Sequence, residues 1–115
     1  MIGLNAGREA AHSLSDFLTG KSIAEALEML VLIGRALGYA ELDELKITGE
    51  EILLRIKSNW ESACLRKRYK TPQCYWTKGL LKGFAEEFTK VKWNVEEETC
   101  IAAGEKYCTF ILKKA

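Results

Sequence analysis

The chain has 115 residues, the length of one domain spanning 1–115, and its 48% hydrophobic and 29% charged residues are ordinary values for a soluble globular protein. With 17 basic against 16 acidic residues, composition supplies no global drive toward nucleic acid or an anionic membrane, and neither is expected as a partner. Arg8 and Glu9 fall where a secretory signal would need an apolar core, and the most apolar run, residues 26–36, is broken by Glu28 and Arg35 and is too short to span a bilayer. The expected location is cytoplasmic, where four cysteines read as thiols, metal ligands or catalytic groups in preference to disulfides.

Taken in chain order, residues 5–18 predict a helix with Ala6, Ala10, Leu14, Phe17 and Leu18 on one side, ended by Gly20. Ser22 and Glu25 stand at capping-box spacing and open a second helix that runs to about Leu37, with Gly38 as its stop. This helix carries Ile23, Leu27, Leu30, Val31 and Leu37. It is apolar nearly all round at residues 30–33, which predicts burial on more than one side. Residues 40–48 and 51–58 form a hairpin around Gly49, with Ile52, Leu54 and Ile56 alternating with Leu53, Arg55 and Lys57. Thr71-Pro72 opens a third helix reaching about Lys90. Val91, Trp93 and Val95 then alternate with Lys92, Asn94 and Glu96, and residues 107–112 supply a partner strand. The fold class is α+β, an antiparallel sheet of about four strands packed with helices.

Three cysteines concentrate the chemistry. A turn about Gly104 sets Cys100 and Cys108 across the mouth of the last hairpin, where two thiolates can share a metal at about 2.3 Å from each sulfur. Cys74 falls in the first turn of the third helix, a position that favours a thiolate. Glu97 could add a carboxylate oxygen. Its strand parity is opposite to that of Cys100, so a bulge or a strand end must intervene for the two to converge. The pattern Cys-x22-Glu-x2-Cys-x7-Cys is not a paired metal-ribbon spacing. Taken by itself it leaves buried thiols as the favoured reading and a Cys100–Cys108 disulfide as a further one. Cys64 reads as a buried thiol in every case.

The stretch from Cys74 through Tyr75-Trp76-Thr77-Lys78-Gly79-Leu80-Leu81-Lys82-Gly83-Phe84 to Glu87, followed by Glu97-x-x-Cys100 and Gly104-x-x-x-Cys108-x-Phe110, resembles the vinyl-4-reductase domain family. The likeness extends over roughly residues 22–113 and includes a polar turn at Ser58-Asn59-Trp60-Glu61. It implies a ligand-binding fold like that of nitric-oxide-signalling domains and Golgi-transport subunits. The implied role is binding or sensing of a small hydrophobic or aromatic molecule. The family's phenol-sensing members hold zinc through three cysteines and a glutamate, so the resemblance assigns a structural zinc to Cys74, Glu97, Cys100 and Cys108.

Trp60, Trp76, Phe84, Phe88 and Trp93 are candidate ligand contacts in an apolar pocket, with core packing as the alternative for each. Gly79 and Gly83, four apart, permit close approach of another backbone, and packing against the sheet is their expected role. The basic run Arg66-Lys67-Arg68-Tyr69-Lys70 reads as a solvated loop. His12 is the only histidine, and no phosphate loop, Ser/His/Asp set or Cys-x2-Cys pair is present. The expectation is therefore a binding domain and not an enzyme, acting as a homodimer. A ligand-free protein-interaction module is the second reading, and an accessory reductase the third.

Overall fold

The computed structural model describes residues 3–38, 40–59, 75–99 and 107–115. The elements are α1 (Leu4–Ser13), α2 (Ser15–Leu18), α3 (Ile23–Ala36), β1 (Ala40–Thr48), β2 (Glu51–Asn59), α4 (Tyr75–Thr89), β3 (Trp93–Thr99) and β4 (Cys108–Lys114). The predicted turn at Gly104, the start of the third helix at Thr71-Pro72, and Cys64, Trp60 and the basic run 66–70 lie outside the described residues.

Local signals account for several element boundaries. The Ser22 hydroxyl accepts from the Glu25 backbone N–H at 3.2 Å, and the Ser22 N–H donates to Glu25 Oε1 at 3.1 Å, which completes the capping box of α3. That backbone donor, with the Ser22 side chain behind it, holds the Glu25 carboxyl below the ordinary carboxylate range. Gly38, at φ 80°, takes the left-handed conformation that stops the helix. Gly49, at φ 60°, supplies the positive φ needed for the two-residue turn between β1 and β2.

The first predicted helix is in fact two. Leu14, at φ −97° and ψ 7°, interrupts it, and the Thr19 hydroxyl bonds back to the Ser15 carbonyl at 3.0 Å at the end of α2. The break turns Leu18 into the core and leaves Phe17 68% exposed, off the apolar side expected for it. A second correction concerns α3. It buries Ala24, Ala26, Leu27 and Val31, whereas Leu32 and Leu37 are 52% and 64% exposed. One side of this helix is buried, and its surplus of apolar residues serves a different purpose, described below.

All strand pairs are antiparallel and the sheet order is β1-β2-β4-β3. β4 thus enters between the first hairpin and β3. Ile52, Leu54 and Ile56 of β2, Cys108, Phe110 and Leu112 of β4, and Trp93 and Val95 of β3 are buried on one face, together with Leu81, Phe84 and Ala85 of α4. Burial of each large side chain among them contributes about 1.5–3 kcal/mol.

α1 lies along α4 at very short range. A methyl group at Gly7 would overlap the Leu80 carbonyl oxygen, and one at Gly83 would overlap the Leu4 carbonyl oxygen. The partner backbone that Gly83 admits is therefore helix α1, and not the sheet. Arg8 and Glu86, 3.6 Å apart, add an ion pair across the same helix pair.

Among the described residues, no helix is long and apolar enough to cross a membrane.

Candidate functional site: an apolar cavity and a cysteine–glutamate sheet face

The close contact of α1 with α4 leaves space beside it, toward α3. A cavity of about 390 Å³ opens there. Ala6, Ala10 and Leu14 line it from α1 and the break after it, Leu30, Val31, Ile33, Gly34 and Leu37 from α3 and its C-cap, and Trp76, Thr77, Leu80 and Leu81 from α4. Ile56 of β2 and Ser13 of α1 also border it. Part of the apolar surplus of α3 and its C-cap is thus cavity wall, while Leu32 is not among the described residues that line it. Among the described residues that line the space, Ser13, Trp76 and Thr77 bring a polar side-chain atom and none is charged. A volume of this size and chemistry falls within the range of small-molecule sites.

Of the aromatic residues singled out in the sequence, Trp76 lines this cavity. Phe84 is fully buried in the core, its ring stacked on Phe88 with centroids 6.4 Å apart. Phe88 borders a separate, more polar cleft with His12, Thr19, Lys21 and Lys90. Trp93 is pinned at the α4–β3 corner. Its N–H donates to Glu86 Oε2 at 3.0 Å, its carbonyl accepts from Lys82 Nζ at 3.0 Å, and its indole N–H donates to Thr89 Oγ1 at 2.8 Å. Such complete engagement makes Trp93 a corner post of the fold. Trp60 lies outside the described residues. The α1 and α3 wall residues were not among those singled out, and the signal for them was the run of apolar residues exceeding what one helix face needs.

Two of the four cysteine-site residues are described. Cys108 is fully buried on the helix-facing side of β4, paired with Ile56 and next on that face to the pair Leu54↔Phe110. Glu97 pairs with Phe110 and so occupies the same face, with its Oε2 oxygen buried. Immediately beyond Glu97 the register shifts, so that Thr99 pairs with Thr109. A regular ladder would have paired Thr99 with Cys108. Glu98 is the extra residue, and the bulge lies where the parity argument required one. Cys74 and Cys100 lie outside the described residues, and among the described residues no group of three or more His, Cys, Asp or Glu side chains converges.

Together these features define a small α+β domain, its helices on one sheet face and an apolar cavity between three of them. The vinyl-4-reductase domain model matches residues 53–114, just over half of the chain, and the chain belongs to this family. A stretch of 68 residues, 57% of the chain, is 38% identical to an uncharacterized protein of Methanocaldococcus jannaschii and covers 29% of that protein's length. Among solved structures, the phenol-responsive sensory domain of the transcription activator PoxR with phenol superimposes with a TM-score of 0.77 at 17% identity, covering 97% of this chain and 60% of that one. A vinyl-4-reductase family protein from Methanocaldococcus jannaschii gives 0.64 at 21% identity, covering 100% and 69%.

The fold recurs in an H-NOX protein from S. oneidensis (TM-score 0.67, 17% identity, 98% and 61% covered). It recurs also in a trafficking protein particle complex subunit 3 from Naegleria fowleri covalently bound to palmitic acid (0.56, 16%, 97% and 77%). The α+β class and its likeness to these folds are as the sequence led us to expect.

Proposed function

We propose that this vinyl-4-reductase-family domain binds a small apolar molecule between α1, α3 and α4 as a regulatory or sensing module, with a structural zinc bracing the fold. The observation that carries the reading is the cavity itself. A folded interior is normally packed to crystal-like density, and leaving about 390 Å³ of apolar wall unfilled forgoes dispersion contacts that a ligand would restore. The fold shared with a phenol-responsive sensory domain and with a palmitate-bound subunit supports it. Among the described residues that line the cavity no side chain is charged, a wall suited to holding an apolar molecule.

Gly34 provides the test. It lines the cavity, and a Cβ built on it meets nothing within 4 Å. Gly34→Phe puts a ring at this open position of the wall and removes a glycine from α3. With 1-octanol as the probe at tenfold over its Kd, the wild-type chain gains about 1.4 kcal/mol, or roughly 5 °C in Tm. Gly34→Phe is expected to lose that shift while melting at or above the wild-type temperature. An undiminished shift in the variant would place the alcohol elsewhere.

The zinc part of the proposal assigns Cys74, Glu97, Cys100 and Cys108 as ligands. It draws support from Glu97 and Cys108 on one sheet face and from the bulge after Glu97. Three thiolates and a carboxylate would fill a tetrahedral zinc and leave no position for water, a bracing role and not a catalytic one. The homodimer also belongs to the proposal. Leu32, Leu37 and Phe17, exposed on the helical side, are the apolar surface that favours a protein-interaction role as the second reading.

A further inference from the structure

The more polar cleft that Phe88 borders has a volume of about 310 Å³. Three basic side chains line it, each from a different segment: His12 from the last turn of α1, Lys21 from the connection between α2 and α3, and Lys90 from just beyond α4. Gly20, at φ 80°, makes the turn before Lys21, whose N–H donates to the Leu18 carbonyl at 3.1 Å. Leu18 and the half-buried Phe88 supply apolar wall. An adjoining cleft shares Glu87 and Lys90 and adds Arg8, Glu86 and Lys92. Among the described residues that line the two clefts, four lysines and arginines stand against two glutamates. A chain with 17 basic and 16 acidic residues thus gathers positive charge here.

Lys90 is set apart by its backbone. At φ 62° it is the one non-glycine residue with positive φ among the described residues, just after α4, where glycine is least strained. Its ammonium group lies 2.9 Å from Glu87 Oε1. That ammonium first, with His12 and Arg8 beyond it, holds the Glu87 carboxyl below the ordinary carboxylate range, so basic groups from α1 and α4 act on one carboxylate.

We propose that this cleft binds a small organic phosphate, its charged group held by Lys21 and Lys90 with His12 beside them, and its apolar body against Leu18 and Phe88. The site is separate from the apolar cavity and does not depend on the reading given to that cavity. Two ammonium groups and a histidine suit the two charges of a phosphate monoester better than the single charge of a carboxylate, and lysine is a common phosphate partner. The last turns of α1 and α4 also reach the cleft, and their negative ends weigh against an anion. Several of their terminal acceptors are already engaged. The Ala10 carbonyl accepts the Leu14 N–H at 3.0 Å, the Glu86 carbonyl the Lys90 N–H at 2.8 Å, and the Ala85 carbonyl the Thr89 hydroxyl at 2.7 Å. Each helix end amounts to about half a charge, less than either lysine brings.

The test is calorimetric titration of the intact chain at pH 7.5 and low salt with phenyl phosphate, and with inorganic phosphate as the probe of charge alone. Phenyl phosphate is expected to bind, and inorganic phosphate at least about tenfold more weakly, because it forgoes the apolar contact. Lys21→Ala and Lys90→Gly are each expected to weaken phenyl phosphate about tenfold, the effect of losing one charge-assisted hydrogen bond. Lys90→Gly also relieves the positive φ, so its Tm is expected to be no lower than that of the wild type. Lost binding in a chain that melts no lower is not a folding effect; should this variant melt lower, Lys21→Ala decides. Gly34→Phe, altered in the apolar cavity, is expected to bind phenyl phosphate as the wild type does. No binding of phenyl phosphate, unchanged affinity in either lysine variant, or equal affinity for inorganic phosphate overturns the proposal. Loss of binding in Gly34→Phe would move the ligand to the apolar cavity and overturns it too. Chain that sediments with phosphatidylglycerol vesicles and does not bind phenyl phosphate would make the basic patch a lipid-surface contact, which also overturns it.

Discussion

Replacing Gly83 by alanine is expected to lower the unfolding free energy by about 3 kcal/mol, toward the upper end of the cost of forcing extra volume into a packed interior. The methyl group would overlap the Leu4 carbonyl oxygen, and Gly7→Ala would meet the Leu80 carbonyl oxygen from the other side. Both obstacles are helix backbone. A side chain could swing aside, but here α1 and α4 must move apart as units. Alanine's better helix propensity recovers only about 1 kcal/mol. A Tm fall of roughly 12 °C follows for a chain of this size. Ala6 and Ala10 on α1 and Leu80 and Leu81 on α4 all line the cavity, so the same separation is expected to weaken 1-octanol binding. Urea denaturation checks the stability change, and a difference within about 0.5 kcal/mol would show that the two helices are not held at their limiting distance. Gly34→Ala is the matched control, expected to stabilise slightly because no atom opposes its methyl group.

The second large effect concerns the proposed zinc. Chain purified without chelators is expected to carry one equivalent of zinc by elemental analysis, and stripping the metal is expected to lower Tm by more than about 10 °C, since structural zinc sites contribute folding free energy outright. Cys74→Ser and Cys100→Ser are each expected to reduce bound zinc to a small fraction of an equivalent. Cys64→Ser, outside the proposed set, is expected to retain it. Wild-type chain devoid of zinc, or Cys74→Ser holding a full equivalent, would remove the metal from the account. The role argued for the site is to tie the start of α4 to the β3–β4 ladder, which would hold one wall of the cavity in place.

Several elements were legible because short-range chemistry determines them. The Ser22–Glu25 pair, Gly38 at the end of α3 and Gly49 between β1 and β2 each act within a few residues, and each appears where the spacing puts it. The alternation in β2 likewise delivers Ile52, Leu54 and Ile56 to one buried face. What escaped depends on distant partners. Nothing local to β4 says that it inserts between β2 and β3, because that order is chosen by pairing across most of the chain. The break at Leu14 re-aims the turn that follows it, and only the fold shows that this turn buries Leu18 and leaves Phe17 exposed.

The site was legible in unequal parts. A bulge or a strand end was the condition parity set for Glu97 and Cys100 to converge, and the register does shift after Glu97. Trp76 was recognisable as a cavity residue, but Phe84 and Trp93 show why aromatic character is a poor guide: the same ring area that would grip a ligand fills the core here. The α3 wall was misread for a related reason. Apolar residues around most of a helix signal that two sides avoid water, and they do not say whether protein or a cavity meets the second side.

Nuclear magnetic resonance of methyl-labelled chain with saturating 1-octanol would locate the bound alcohol residue by residue. Intermolecular NOEs from the alcohol's methylenes are expected at the methyl groups of Leu30, Val31 and Leu81, which face the cavity from α3 and α4. NOEs confined to Leu53 and Ile111, which pair on the opposite sheet face, or none at all, would contradict the claim that the space between α1, α3 and α4 is the binding site.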